Sequence, residues 1–215
     1  MKISYAITVC KELEEIQELI RFLLEYKRDD DEIVVTYDSN NGSEVVLDYL
    51  KYNSAHGQFN WHPFIFDNNF STLKNYTKKN CSGDYVFHID ADEIPHENLV
   101  DILPETLETN DVDLIWIPRV NTVEGLTQEH INKWGWKVND KGWVNYPDYQ
   151  ARIFRNSSEI MWEKPVHEYI IGCKTYSHLP PQEELGLYHH KHIDKQKQQN
   201  QLYETVLLKK KTLNQ

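Results

Sequence analysis

Apolar segments with two different periods alternate along the first 95 residues, and this alternation constrains the fold more than any other feature of the chain. Short runs rich in β-branched residues predict strands at Ile3–Val9, Glu32–Tyr37, His62–Phe66 and Asp84–Ile89. Between them, apolar residues recur at helical spacing, first at Leu13, Ile16, Ile20, Leu23 and Leu24, and then within Ser43–Asn53 and Ser71–Asn80. Strands that alternate with helices predict βαβ units, and therefore an α/β fold with a mostly parallel central sheet flanked by helices.

The alternation loosens after Pro95. A helix is predicted at Glu97–Glu108 and a strand at Asp113–Pro118, whereas residues 125–149 show little periodicity, and a long irregular segment is usually functional. Further strands are predicted at Tyr149–Arg155, Ile160–Trp162, Val166–Ile171 and Leu185–His190. The stretch 194–215, rich in lysine and glutamine, predicts a C-terminal amphipathic helix. The length of 215 residues suits one domain.

The chain is acidic. It has 23 Lys and Arg against 34 Asp and Glu, a formal net charge of −11, which argues against general binding to the phosphate backbone of nucleic acids. An anionic ligand therefore needs a local source of positive charge. No apolar run approaches the ~20 residues of a membrane helix, and MKISYAITVC lacks the features of a signal peptide. Together with three scattered cysteines and no C-x-x-C pair, these features predict a soluble protein with reduced thiols in a cytosol-like compartment.

Asp38 ends the second predicted strand and begins a turn that runs to Gly42. In open α/β sheets, ligands bind beyond the carboxyl ends of the strands, so Asp38 can accept hydrogen bonds from a nucleotide base or ribose. An aspartate at this position can also cap its own turn. The residue type alone leaves both roles open.

Asp90 and Asp92 directly follow the fourth predicted strand. Two carboxylates one residue apart in a loop can bind Mg²⁺ or Mn²⁺ together with a diphosphate. The D-x-D pattern also occurs at 29–31 and 111–113, but only Asp90 and Asp92 come after a strand rather than before one. The alternative is an acidic cluster that favours the N-terminus of the next helix.

Two pairs that contain histidine have both a chemical and a structural interpretation. His167 and Glu168 lie on a predicted strand, where Glu168 can act as a general base or form a surface pair with its neighbour. His189 and His190 can bind a metal or a phosphate, or can be solvated residues before a helix. Strand alternation sends His189 and His190 to opposite faces, so at most one of them is expected in a site.

Trp134, Trp136 and Trp143 lie close to Gly135 and Gly142 in the irregular segment. Aromatic faces beside flexible glycines can stack on a sugar ring. The more common role of a tryptophan is to fill a hydrophobic core, and the sequence leaves both interpretations open.

Taken together and in this order, these segments resemble a family 2 glycosyltransferase with the GT-A fold, of the small bacterial or viral type. ISYAITVCKELEEIQELI resembles the first strand and helix of that family, EIVVTYDSNNGS resembles its second strand with a nucleotide-contacting aspartate, and GDYVFHIDADEIP resembles its metal-binding D-x-D passage. YPDYQARIFR followed by VHE is similar to the acceptor-side segment, and LYHHKHIDKQKQQNQLYE is similar to the closing His-Lys segment. The resemblance covers nearly the whole chain.

The resemblance implies a role for each matching residue. Asp38 and Asp90 contact the nucleoside, with Asp90 near the ribose or uracil, and Asp92 contacts the metal. His189 lies at the metal or the diphosphate, with His190 as its substitute. Further implied contacts to the nucleotide-sugar are Thr8, Lys74, Ala91 and Gln150, and implied contacts to the acceptor are Trp134, Trp136 and His167. Lys74 stands where the family usually has arginine.

The implied reaction transfers a sugar from a nucleoside diphosphate sugar, expected to be UDP-linked, to a hydroxyl acceptor with inversion at the anomeric carbon. Mn²⁺ or Mg²⁺ on Asp92 neutralises the diphosphate, and Arg152 and His189 add positive charge there. Glu168 removes the proton of the acceptor, and Asp148 is the competing carboxylate for this role.

The resemblance also implies a division of the single domain 1–215. Residues 1–95 form the nucleotide-sugar-binding half, 96–193 form the acceptor-side half, and 194–215 form the C-terminal helix. The acceptor, a glycan or another hydroxyl compound, is expected to be small or to be held by a partner or by a neighbouring copy in a homo-oligomer. The expected location is the cytoplasm, or the host cytoplasm for a viral member.

Two other function classes stay open. A nucleotidyltransferase of similar α/β fold also uses paired carboxylates and a cation, but VCKELEE lacks the glycine-rich phosphate loop that is usual near its start. A catalytically inactive module that binds nucleotides or sugars would keep the aromatic residues and need no metal.

Overall fold

Strands and helices alternate in the computed structural model, which describes residues 1–198 and 200–201. The strands are β1 (Ile3–Val9), β2 (Glu32–Asp38), β3 (Asn60–Phe64), β4 (Tyr85–Asp90), β5 (Glu93–Pro95), β6 (Leu114–Ile117), β7 (Arg119–Glu124), β8 (Gln150–Arg155), β9 (Met161–Glu163), β10 (Tyr169–Ile171), β11 (Tyr176–His178) and β12 (Leu187–His192). The helices are α1 (Leu13–Tyr26), α2 (Glu44–Ala55), α3 (Phe70–Lys79), α4 (Glu97–Thr109) and α5 (Gln128–Trp134).

The C-terminal part of the described chain is also helical, at 193–198 and 200–201. The other positions of the predicted C-terminal helix, 199 and 202–215, lie outside the described residues. Among the residues that the structure describes, no helix combines the length and the apolar character that crossing a membrane requires.

The central sheet has seven strands in the order β11-β6-β8-β4-β1-β2-β3. β1 pairs in parallel with β2 and β4, β2 pairs in parallel with β3, and β6 pairs in parallel with β11. β8 runs antiparallel between β4 and β6. Two smaller sheets are formed by β9 with β10 and by β12 between β5 and β7. The predicted α/β fold with a mostly parallel central sheet is therefore confirmed.

Each face of the central sheet has its own hydrophobic core, because successive side chains of a strand point to opposite faces. In β1, the side chains of Ile3, Tyr5 and Ile7 are buried in one cluster with apolar residues of α1, α2 and α4. Ala6, which lies between them, belongs to a second cluster that includes Trp162 of β9. Helices α1, α2 and α4 therefore cover one face of β1, and β9 together with α3 covers the other.

The parallel pairing brings the carboxyl ends of three strands to one edge of the sheet. β1, β2 and β4 end at Val9, Asp38 and Asp90. β12 reaches the same edge, since His189 is paired with Glu93 of β5, three residues after Asp90. Ligands of open α/β sheets bind at such an edge, so the fold positions a site here.

The structure corrects several sequence-based assignments. The predicted strand Val166–Ile171 is wrong over its first half, because His167 and Glu168 lie in the loop between β9 and β10. His167 has a φ of 53°, a left-handed conformation that interrupts a strand. The segment predicted as irregular contains α5, which begins with a capping box between Thr127 and His130. β5, β7 and β11 are absent from the sequence-based prediction because each is very short or mostly polar.

Asn75 of α3 connects this helix to β9. Its Nδ2 donates a hydrogen bond to the carbonyl oxygen of Trp162, and its Oδ1 accepts one from the N–H of the same residue, both at 2.8 Å. Trp162 is buried, so water does not replace these contacts. One side chain therefore fixes the strand that leads into the His167–Glu168 loop.

Replacement of this amide tests the connection. We expect Asn75→Ala to lower the free energy of unfolding by about 1–3 kcal/mol, because it leaves the buried N–H and C=O of Trp162 without partners. Urea denaturation measures the change. The matched control is Asn132→Ala at an exposed position of α5, which should stay within about 0.5 kcal/mol of wild type. Equal stability of the two variants would contradict the role of Asn75.

Candidate active site

A cleft of about 1170 Å³ opens over the carboxyl ends of β1, β2 and β4. Its volume exceeds the ~300–1,000 Å³ of typical ligand pockets, so it has space for more than one small molecule. Most residues singled out from the sequence line it, namely Thr8, Asp38, Lys74, Asp90, Ala91, Asp92, Trp136, Asp148, Gln150, Arg152, His167, Glu168 and His189. The fold therefore brings these residues, which are far apart in the sequence, into the lining of one cleft.

Three of the residues singled out from the sequence, namely His190, Trp134 and Trp143, do not line the cleft. His190 has a side chain that is 67% exposed, and its Nδ1 lies 2.8 Å from Oγ1 of Thr122. His189 on the opposite face is buried, which confirms that strand alternation separates the two histidines. Trp134 stacks on His130 of its own helix and contacts Trp136, and only Trp136 lines the cleft.

Asp38 caps its own turn and also faces the cleft. Its Oδ1 accepts hydrogen bonds from the backbone N–H groups of Asn40 and Asn41 at 3.3 and 3.2 Å, and its Oδ2 accepts one from Nδ2 of Asn41 at 3.0 Å. The turn role that the sequence left open is therefore present. Nδ2 of Asn41 also lies 3.3 Å from Oδ1, and Sγ of Cys10 lies 3.9 Å from Oδ2. A carboxylate has about four acceptor sites, so a ligand would replace the weaker of these contacts.

Glu93, the residue after the D-x-D pair, is the centre of a buried ion-pair network. Its Oε1 accepts hydrogen bonds from Arg152 and Arg119 at 2.7 and 2.9 Å, and its Oε2 accepts one from the backbone N–H of Asp90 at 3.1 Å. Arg152 also donates to Oδ2 of Asp90 at 2.7 Å. Burial by itself raises the pKa of Asp90, but Arg152 and Lys74 bring this pKa well below its ordinary value. Asp90 is therefore a charged group in a fixed position.

Asp92 lies among three basic side chains. Its Oδ2 is 3.6 Å from Nε2 of His189, 3.8 Å from Nζ of Lys191 and 3.5 Å from Nζ of Lys195. Burial by itself raises the pKa of Asp92, but His189 and the two lysines bring it well below its ordinary value. Lys195 also contacts Glu15 of α1 at 3.0 Å. The ammonium groups here are the local positive charge that an acidic chain needs for an anionic ligand.

The donor atoms of Asp92 and His189 fit a divalent cation that shares its ligands with a substrate. Mg²⁺ is usually bound through one or two carboxylates plus substrate phosphates, and the imidazole nitrogen is the commonest metal ligand in proteins. No three His, Cys, Asp or Glu side chains within the described ranges 1–198 and 200–201 converge as a ligand group. A cation held by Asp92 and His189 would therefore take its other ligands from substrate or water.

Lys74 of α3, rather than a strand, orients Glu168. Its Nζ lies 2.6 Å from Oε1 of Glu168 and 3.6 Å from Oδ1 of Asp90, and 4.6 Å from the ring centroid of Trp162. The expectation that a strand aims Glu168 is wrong, because this residue follows His167 in the loop before β10. The ion pair with the buried Lys74 orients the Glu168 carboxylate instead.

Asp148 is held by two residues of β7. Its Oδ2 accepts hydrogen bonds from Nε and Nη2 of Arg119 at 3.0 and 2.6 Å and from Nδ2 of Asn121 at 2.8 Å. The side chain of Asp148 is 29% exposed and lines the cleft. Both carboxylates that competed for the role of base therefore lie on the cleft wall, in different surroundings.

Several residues of the cleft and of the buried network beside it are absent from the predicted site. Glu93 directly follows the D-x-D pair, and Lys191 and Lys195 stand in the string HHKHIDK, so their positions beside motif residues were an available signal. Arg119 and Asn121 are two residues apart and share a face of β7. They could be found only if β7 were recognised as a strand.

Residues 4–178 match the family model described as Glycosyl transferase family 2. No curated protein matches the chain. Among solved structures, S. aureus TarS 1–349 is similar with a TM-score of 0.61 and 13% identity, over 88% of this chain and 60% of that chain. The complex of TarS 1–349 with UDP-GlcNAc is similar with a TM-score of 0.60 and 14% identity, over 89% of this chain and 59% of that chain. For the complex with UDP, the TM-score is 0.59 and the identity 13%, over 88% of this chain and 60% of that chain. The chain thus spans about 60% of the TarS structures, and the likeness shows a GT-A fold.

His88 lies on β4 and is buried. Its Nε2 is 3.2 Å from Oδ1 of Asp90, and its ring packs at 5.5 Å from that of Trp162. Burial lowers the pKa of His88 to about 4, and the charge of Lys74 acts in the same direction. The ring is therefore neutral at pH 7, and its Nε2–H donates to Asp90.

The lowered pKa of His88 predicts a pH dependence of stability. The unfolded chain binds a proton on this ring below its ordinary pKa of 6.5, whereas the folded chain does so only near 4, so stability should fall as the pH falls through this window. The difference corresponds to about 3 kcal/mol. Urea denaturation at pH 7, 6, 5 and 4 should show a shallower loss for His88→Gln than for wild type. The control His56→Gln, at an exposed position, should keep the wild-type dependence, and a wild-type slope in His88→Gln would contradict a buried neutral ring.

Proposed function

The chain belongs to glycosyl transferase family 2, and we propose that it is a glycosyltransferase that moves a sugar from a UDP-linked donor to a hydroxyl acceptor with inversion at the anomeric carbon. The observation that carries the proposal is the cluster of Asp92, His189, Lys191 and Lys195 at the carboxyl ends of the strands. A carboxylate, an imidazole and two ammonium groups in one cleft suit the diphosphate of such a donor. The TarS structures that carry UDP and UDP-GlcNAc support the choice of nucleotide.

The nucleoside part of the donor is proposed to bind at the ends of β1 and β2. Thr8 and Asp38 line this end of the cleft, where a base or ribose would replace the weak contact of Asp38 with the Cys10 thiol. Lys74, Asp90, Ala91 and Gln150 complete the proposed contacts to the nucleotide-sugar. Because Asp90 is fixed by Arg152, it presents a charged acceptor without rearrangement.

The diphosphate is proposed to bind at Asp92. Asp92 and His189 would hold Mn²⁺ or Mg²⁺, which when bound neutralises charge on the departing diphosphate. Lys191 and Lys195 donate to diphosphate oxygens from the same side. Arg152 adds positive charge from below, and its Nε–H has no hydrogen-bond partner within the described part of the chain.

The acceptor is proposed to bind on the side formed after residue 95. Trp136 and His167 line this part of the cleft, together with Trp116 and Tyr149. Aromatic faces of this kind suit the apolar face of a sugar ring, which supports a glycan or a related hydroxyl compound as the acceptor. We propose a donor half at 1–95 and an acceptor half at 96–193, with the exception that Gln150, Arg152, His189 and Lys191 of the second half serve the donor.

Glu168 is the residue that we assign as general base. Asp148 already accepts three hydrogen bonds on Oδ2, from Arg119 and Asn121, and so holds the wall of the cleft together. Glu168 has one ion pair, with Lys74, and this lysine bridges it to Asp90 at the donor end of the cleft. A carboxylate beside the donor is the one that can take the proton of an attacking hydroxyl.

The three cysteines are free thiols, which supports the expected reducing compartment, the cytoplasm or a host cytoplasm. The cleft is open enough for an acceptor that belongs to a larger molecule. A partner or a second copy in a homo-oligomer is proposed to hold such an acceptor.

Replacement of His189 and of its neighbour His190, which point to opposite faces of β12, tests the donor site. We expect His189→Ala and Asp92→Ala to abolish Mn²⁺-dependent binding of UDP, because each variant removes a ligand of the cation. The control His190→Ala should bind UDP like wild type, because the His190 side chain is exposed. Isothermal titration of UDP with and without Mn²⁺ measures this, and circular dichroism checks folding. Unchanged UDP affinity in His189→Ala would remove this histidine from the site. Wild-type protein that shows no Mn²⁺-dependent binding of UDP would favour an inactive module.

The base is tested by isosteric replacement of each carboxylate. Glu168→Gln should lower kcat by ~10²–10⁴-fold with little change in donor affinity, because the amide keeps the shape and loses the proton acceptor. Asp148→Asn should lower activity less. Turnover of a UDP-sugar is followed by release of UDP. Near-normal turnover in Glu168→Gln beside an inactive Asp148→Asn would transfer the role to Asp148.

A further inference from the structure

Asn121 lies between the carboxylate of Asp148 and the imidazole of His189 and contacts both. Its Nδ2 is 2.8 Å from Oδ2 of Asp148, and its Oδ1 is 2.8 Å from Nδ1 of His189. A carboxylate accepts hydrogen bonds and does not donate them when ionised. The amide of Asn121 must therefore turn its NH₂ group to Asp148 and its oxygen to His189.

This orientation decides where His189 carries its proton. An amide oxygen only accepts hydrogen bonds, so Nδ1 of His189 must be the protonated nitrogen. Its Nε2 then faces Oδ2 of Asp92 at 3.6 Å, which is too long for a hydrogen bond.

The contact between Asn121 and His189 is fixed by the sheet. The two residues are paired in the parallel register of β7 and β12, so their side chains project from the same face. The backbone of Asn121 is held as well, because the N–H of Val144 donates to its carbonyl oxygen at 2.9 Å. At the other end, Arg119 fixes Asp148 through two hydrogen bonds. The chain Arg119, Asp148, Asn121 and His189 is therefore continuous and ordered.

We propose that Asn121 is a positioning residue that holds His189 as the Nδ1–H tautomer and so presents Nε2, beside Asp92, to the divalent cation. The inference rests on the proposed function, since it takes His189 as a ligand of that cation. Groups that accept the second ring proton of a metal-binding histidine typically contribute 10–100-fold to metal affinity or activity. Through the same amide, Asn121 links the donor side of the cleft to Asp148 on the acceptor side.

The first measurement reads the tautomer in metal-free protein. We expect ¹⁵N NMR to show the Nδ1–H form of His189 in wild type and a mixture of tautomers in Asn121→Leu, because leucine offers no acceptor. The double variant Asn121→Asp/Asp148→Asn exchanges the two groups, so an acceptor oxygen still faces Nδ1 and an amide N–H can still meet a carboxylate, and it should retain the wild-type tautomer. The control Thr122→Val removes the hydrogen bond to the exposed His190 on the outer face of the same strand pair and should leave the signal of His189 unchanged.

The second measurement is the affinity for Mn²⁺ in the presence of UDP, by isothermal titration. Asn121→Leu should lose about 10–100-fold, and Asn121→Asp/Asp148→Asn should recover most of that loss. Circular dichroism shows whether each variant folds, and the double variant keeps the test decisive if Asn121→Leu does not fold. A wild-type tautomer in Asn121→Leu, or a tautomer change in the double variant as large as in Asn121→Leu, would overturn the proposal.

The two proposals fail in different ways. Wild-type protein that binds UDP without any dependence on Mn²⁺ would overturn the role of His189 as a metal ligand and with it the cation half of this inference. Normal metal-dependent binding in wild type, together with unchanged affinity and tautomer in Asn121→Leu, would overturn the role of Asn121 alone and leave the proposed function standing.

Discussion

The ion pairs around Glu93 are the constraint on which the rest of the cleft depends. A buried charge is costly unless it is paired and hydrogen-bonded, and this carboxylate is surrounded by Arg152, Arg119 and the backbone N–H of Asp90. These donors come from β8, β7 and the end of β4. Removal of one partner would leave an uncompensated charge inside the protein, so the network fixes the three strand ends relative to one another.

The same network explains how a chain with a net charge of −11 can offer a site for an anionic ligand. Asp90 and Glu93 are neutralised by arginines, and Glu168 is neutralised by Lys74. Their negative charge therefore does not repel a diphosphate as free carboxylates would. Positive groups held in place before the ligand arrives need no reorganisation when charge develops on a leaving group, which is where such groups stabilise a transition state most.

The strand β12 supplies two of these groups through its alternation. His189 and Lys191 point into the cleft and are buried, whereas His190 and His192 point outward and are exposed. Its parallel partner β7 presents Arg119 and Asn121 on the matching face. A pair of short strands can therefore carry polar side chains that contact one another at 2.8 Å, because residues paired across a sheet have a fixed separation and direction.

The sequence by itself determined the order of strands and helices up to the end of β4, the parallel core of the sheet, and the placement of Asp38, Asp90 and Asp92 at strand ends, because hydrophobic period and turn residues are local signals. The family resemblance added the cleft residues of the later segments. Only the tertiary structure decided which charges pair, since the contacts of Arg152 with Asp90 and of Asn121 with His189 join residues 62 and 68 positions apart. It also decided that Lys74 orients Glu168 from a helix, because the left-handed backbone at His167 ends the strand that the pattern predicted. A local sequence pattern cannot predict such long-range pairing, because the pairing depends on strand register and on the free-energy cost of burying a charge.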